Sequence, residues 1–190
     1  MTREELYSYI QNSILLGRIY NFNDIPEKYK ERHSSTFAEY FDGSVEYNNM
    51  YFKINEDNKI VLTLCLNTYK NLDLGDTLDI IEPYAFCEHT NLIGLKSESV
   101  TEIGSGAFLR SSIKYATLDS LREISTGAFY NSDLIEISAP KLEVVNEEGF
   151  YACSGLSKIN APSISYIGRD AFAYCSNLNP EFTKNLPTYE

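Results

Sequence analysis

Apolar residues recur along most of the chain with a period of 21 or 22 residues, far longer than the period of a helix or a strand. Phe86, Phe108, Phe129, Phe150 and Phe172 set the register, at spacings of 22, 21, 21 and 22. Each follows a small residue: Ala85, Ala107, Ala128, Gly149 or Ala171. A second column stands five residues before each phenylalanine (Ile81, Ile103, Ile124, Val145, Ile167), and a third lies three residues earlier still (Leu78, Val100, Leu121, Leu142, Ile164). A fourth follows five or six residues later, in Leu92, Ile113, Leu134, Leu156 and Leu178. One coil cannot bury an apolar face of its own, but stacked coils turn each column into a continuous ladder. The pattern predicts a solenoid of five coils over residues 74–182, stabilised by about 1.5 to 3 kcal/mol for each ladder side chain that is buried.

Within each coil, segments such as Leu134–Ile137 and Leu156–Ile159 predict a short parallel strand, and Leu142–Val145 and Ile164–Ile167 a second extended segment across the coil. Pro140 and Pro162 end the first strand, because proline offers no amide hydrogen to a ladder. Glycines at 104, 106, 127, 149 and 168 predict a tight corner with positive φ or close backbone approach. The run Ile167-Gly-Arg-Asp-Ala-Phe172-Ala-Tyr-Cys175-Ser-Asn-Leu178 resembles the BspA-type (Treponema-type) leucine-rich repeat. The similarity extends from about Met50 to Phe182, since Tyr51–Leu64 resembles the hairpin-like entry that precedes such repeats. It implies a curved leucine-rich repeat solenoid used in adhesion and protein binding, and brings no catalytic residues. The chain departs from the family pattern where Ser111 and Ser132 replace the cysteine of the middle coils.

Ahead of the coils, residues 1–49 predict a helical cap or docking segment and 50–73 a β entry segment, while 183–190 form a tail. Thr2 and Glu5 have capping-box spacing, Leu6, Ile10 and Ile14 are expected on one helical face, and Gly17 ends the helix. Asn23–Glu31 and Ser35–Phe41 predict two further helices, and Val45–Leu66 strands with turns at Asn48-Asn49 and Glu56–Asn58. A solenoid needs its first apolar face covered, which makes the segment a cap; alternatively Tyr7, Tyr9, Tyr20, Phe22 and Tyr29 form a docking surface. At the far end, Pro180 and Pro187 should stop another coil from adding.

Strand alternation exposes two rows on each coil. One is Gly94, Tyr115, Glu136 and Lys158, the other Lys96, Thr117, Ser138 and Asn160. These rows are the default binding face, and an edge carrying Tyr130, Tyr151 and Tyr174 is the rival. Other chemistry is not supported. Cys153 and Cys175 fall on adjacent coils within disulfide reach but are expected as small buried fillers. His33 and His89 have neither a second metal ligand at helical spacing nor a nucleophile signature, and Asp73, Asp76 and Asp79 lack calcium-loop spacing. No catalytic residue, metal or cofactor is expected.

Charge narrows the partner. Seven basic against ten acidic residues over 1–60, and nine against seventeen over 61–190, give −3 and −8 of a total of −11. Such a chain repels nucleic-acid phosphates and anionic lipid, so a protein partner is expected, with no nucleic acid and no membrane. Four cysteines in 190 residues and a polar Met1–Gln11 predict a reducing, cytoplasmic setting, with a virion or non-classical surface location as the alternative. The sequence therefore predicts a soluble, non-catalytic protein-interaction module. The alternatives are a structural or assembly subunit of a larger complex or virion, or an acidic phage-type protein that blocks a host protein.

Overall fold

The computed structural model describes residues 1–24 and 40–184. Helix α1 (Arg3–Leu15) opens on a capping box, in which the Thr2 hydroxyl accepts the Glu5 amide and the Glu5 carboxylate accepts the Thr2 amide. It buries Leu6, Ile10 and Ser13, while Ile14, expected on that face, is 46% exposed. The helical repeat explains the difference: at about 100° per residue, position 13 lies roughly 20° from the Leu6 direction and position 14 roughly 80°. Helical expectations for 25–39 fall outside the described residues; Phe22–Asp24 form a single 3-10 turn.

Strands β1 (Val45–Tyr47), β2 (Met50–Ile54) and β3 (Ile60–Cys65) form an antiparallel meander. Asn48 and Asn49 both take positive φ between β1 and β2, the geometry that matches the twist of a two-residue hairpin. The Asn55 side chain accepts the Asp57 and Lys59 amides in the second turn. β3 then pairs in parallel with β5 (Ile80–Ile81), so the entry segment is continuous with the coils. β7 (Glu102–Ile103), β9 (Glu123–Ile124), β11 (Val144–Val145) and β13 (Tyr166–Ile167) extend this sheet to eight strands.

A five-stranded parallel sheet forms the other side: β4 (Asn71–Asp73), β6 (Gly94–Ser97), β8 (Tyr115–Leu118), β10 (Glu136–Ser138) and β12 (Lys158–Asn160). Between the sheets run the ladders. Phe86, Phe108, Phe129 and Phe150 are at most 1% exposed, and the five rings stack with centroids 4.8, 4.8, 5.3 and 5.2 Å apart, tilted by no more than 13°. Phe172, in the last coil, is half-buried, and Phe182 from the short helix α2 (Pro180–Lys184) meets it edge-on at 5.8 Å. Pro180 opens this helix at a first helical position where its missing amide costs nothing, and Pro187 lies outside the described residues.

The corner around each phenylalanine differs from the glycine expectation. Positive φ falls two residues before it, at Tyr84, Gly106, Gly127, Glu148 and Asp170, and two after, at Glu88, Arg110, Asn131, Ala152 and Tyr174. Eight of these ten are not glycine, and each such residue costs about 1 kcal/mol. The offset is a hydrogen-bond ladder. In coils 1 to 4 the amides of the phenylalanine and of the two positive-φ residues donate to carbonyls of the following coil, as in Phe108 to Ala128 (2.7 Å) and Arg110 to Tyr130 (2.9 Å). Gly104 has ordinary φ and instead lets backbones close: a Cβ there would sit 2.5 Å from the Pro83 nitrogen.

Candidate binding surfaces

Register places the outward residues of the five-stranded sheet in two rows. Asn71, Gly94, Tyr115, Glu136 and Lys158 stand side by side, as do Asp73, Lys96, Thr117, Ser138 and Asn160. Asn71 and Asp73 begin each row one coil earlier than the sequence suggested. Much of this face is occupied with itself: Lys96 pairs with Asp73 (3.7 Å) and Glu98 (3.1 Å), Lys158 with Glu136 (3.4 Å), and the Asn160 amide donates to the Ser138 hydroxyl. The rows carry two acids and two lysines, hence no net charge, and their single aromatic is Tyr115, 49% exposed.

The phenylalanine corner offers different material. Tyr130 and Tyr151, immediately after their phenylalanines, stack at 4.8 Å and 12°; Tyr174, two residues after Phe172, meets Tyr151 at 5.1 Å and 63°. Tyr174 is 72% exposed. Burial first, then the phenols of Tyr174 and Tyr130 and the Glu148 carboxylate, raise the Tyr151 phenol above its ordinary pKa. The three tyrosines are one connected stripe, made possible by the coil spacing that also stacks the rings inside.

Inside the same corners runs the column of His89, Ser111, Ser132, Cys153 and Cys175. Burial pushes the thiols of Cys153 and Cys175 up to about 11 and about 12, and each donates to the carbonyl of the phenylalanine one coil earlier, at 2.9 and 3.1 Å. Both are free thiols, and neither has the lowered pKa of a nucleophile. His89 Nδ1 accepts the Leu92 amide, which leaves Nε2 to donate to the Asn67 carbonyl 2.8 Å away. That arrangement requires the neutral ring, and burial lowers its pKa from 6.5. The unfolded chain therefore takes up a proton below about pH 6.5 that the folded chain refuses, so stability falls as pH falls through that range. His89→Ser, copying Ser111 and Ser132, should show a smaller drop in melting temperature between about pH 7.5 and 5.5 than the wild type; equal drops would remove His89 as the cause.

Three aromatic residues of the leading segment, Tyr7, Tyr9 and Tyr20, contact the meander. Tyr9 packs on Tyr47 and donates to the Glu46 carbonyl, Tyr20 packs on Tyr51, and the Tyr7 hydroxyl lies 3.3 Å from the Asn58 side chain. Tyr29 lies outside the described residues. Of the three aspartates, Asp79 is held by Arg3 and the Ile60 amide, and Asp73 by the Gly75 amide and Lys96, so they do not converge. Among the described residues no helix is long and apolar enough to cross a membrane.

With the coils and their ladders in place, comparison decides the family: the model of the BspA type leucine rich repeat region matches residues 62–179 in six copies. The chain belongs to the BspA-type leucine-rich repeat family. The matched span begins inside β3, the strand that pairs in parallel with β5. Among solved structures, the chain is similar in fold to the Treponema pallidum leucine rich repeat protein, with a TM-score of 0.60 and 24% identity over 70% of this chain and 68% of that one. A leucine rich cell surface protein of Faecalibacterium prausnitzii aligns with a TM-score of 0.44 and 16% identity over 72% of this chain and 53% of that one. A leucine-rich repeat protein of Bacteroides capillosus aligns with a TM-score of 0.45 and 22% identity over 72% and 94%. Among the curated proteins none matches. BspA-type solenoids are a fold typical of protein-binding modules.

Proposed function

We propose that this chain is a non-catalytic protein-binding module that meets its partner through the tyrosine edge of coils 3 to 5, those centred on Phe129, Phe150 and Phe172. One observation carries the choice: Tyr130, Tyr151 and Tyr174 form a connected stripe with an exposed end, whereas charged groups on the sheet face neutralise one another. Tyrosine supplies large, rigid contact area with a polar tip, the material of interface anchors. The buried thiols and the neutral, doubly bonded His89 support a non-catalytic role.

Capture from cells of the source organism, with the full chain as bait, tests the assignment. Tyr151→Ala with Tyr174→Ala should reduce recovery of the partner about tenfold or more while leaving the melting temperature within a few degrees. Tyr115→Ala with Lys158→Glu should leave recovery unchanged. The reverse result moves the site to the sheet face.

The assembly-subunit alternative has one observation in its favour. Among the described residues β12 and β13 are sheet edges, and Ile159 and Ile167 within them, with Ile164 just before β13, are only half-buried. Light scattering separates the two: a subunit that builds on this end oligomerises alone, and a module that uses the tyrosine edge runs as a monomer.

A further inference from the structure

Resting on the tyrosine-edge assignment, we propose that the partner presents arginine side chains from an extended segment to the stripe of Tyr130, Tyr151 and Tyr174. Charge around the stripe points there. The corner segments 126–133, 147–154 and 169–176 hold four carboxylates, Asp133, Glu147, Glu148 and Asp170, against one guanidinium, Arg169. Arg169 lies 3.6 Å from Glu147. Among the described residues no cation pairs with Asp133, Glu148 or Asp170. In coils 1 and 2, which lack the stripe, the equivalent segments carry one charge of each sign, Glu88 and Arg110, paired at 3.7 Å. Among these corner segments, carboxylates without a cation partner therefore occur only in the three coils that carry the tyrosines.

Geometry adds direction. Glu148 and Asp170 occupy the same corner position of neighbouring coils, both at positive φ, one rung apart along the stripe. Tyr130 and Tyr151 cover each other's faces, but Tyr174 ends the stripe edge-on to Tyr151, and the residue is 72% exposed. A tyrosine face is negative at its centre and attracts a cation placed over it. An acidic segment would be repelled, and a purely apolar one would strip water from three carboxylates without replacing it. Arginine fits better than lysine, because a planar guanidinium stacks on a ring and forks onto a carboxylate together.

Fluorescence anisotropy with the full chain tests this, using a labelled peptide of alternating arginine and serine and the same peptide with citrulline, which keeps the shape and loses the charge. The arginine peptide should bind, more weakly as salt rises, and should shift amide resonances of the corners around Tyr151 and Tyr174. Tyr174→Ala should weaken it about 2- to 5-fold, and Glu148→Gln with Asp170→Asn about 3- to 10-fold. Glu136→Gln on the sheet face, paired with Lys158, should leave it unchanged and controls for general attraction to an acidic protein. No binding of the arginine peptide, equal binding of the citrulline peptide, or shifts confined to the sheet rows would overturn the inference. If Tyr151→Ala with Tyr174→Ala abolishes capture of the cellular partner while Glu148→Gln with Asp170→Asn spares it, the edge stands and the arginine inference falls. If those tyrosine substitutions leave both capture and peptide binding intact, the edge assignment itself falls.

Discussion

Phe129→Ala is expected to destabilise the protein by about 3 to 5 kcal/mol, the largest effect of any single ladder substitution. Phe129 is fully buried, with Phe108 stacked 4.8 Å away on one side and Phe150 5.3 Å away on the other. Those neighbours cannot close the gap. The Phe129 amide is bonded to the Gly149 carbonyl and the Phe108 amide to the Ala128 carbonyl, and β8 and β10 fix the same spacing across the coil. The cavity therefore remains, and its lining loses contacts that nothing replaces. Because each coil touches only its neighbours, a central defect should also lower cooperativity, broadening the urea transition or splitting it in two. Phe172→Ala is the control, since that ring is half-buried and has Phe150 on one face and Phe182 edge-on. If the two substitutions cost the same, the ladder is not what holds the coils together.

The ladder was legible because it repeats: five occurrences of one spacing specify both fold and register, and the outward rows follow from strand alternation. What stayed hidden is what repetition does not carry. The positive-φ corners hold tyrosine, glutamate, arginine, asparagine, alanine and aspartate as well as glycine, since their backbone is held by bonds to the next coil rather than by residue type. The place of β4 in the coil sheet, rather than in the entry segment, escaped for a related reason: Leu72 precedes Leu95 by 23 residues, while the later inward positions Ala116, Ile137 and Ile159 follow at 21, 21 and 22. Tyr174 shows the limit for the surface. It follows its phenylalanine by two positions where Tyr130 and Tyr151 follow by one, so the column is imperfect in sequence, yet the rings meet. Where the carboxylates near the stripe find partners is three-dimensional information, and charge counting along the chain averages it away.

Ile10→Ala should cost about 2 to 5 kcal/mol and decides whether the leading helix is a cap or an appendage. A helix of 13 residues is marginal by itself, so α1 stays formed because Leu6 and Ile10 are buried, at 1% and 0% exposure, in the same core as Val45, Met50 and Phe52. Its first turn reaches further, where Arg3 pairs with Asp79, whose carboxylate also accepts the Ile60 amide and so ties β3 to the chain entering β5. Losing the Ile10 side chain should therefore weaken the meander as well as the helix. Hydrogen exchange should speed in α1, β1 and β2 together, and the whole unfolding transition should move to lower urea. Ile14→Ala, in the neighbouring helical position that is 46% exposed, should change neither. If exchange rises in α1 alone while the transition stays in place, the helix is an appendage, and the coils must be closed at their first face by the meander without it.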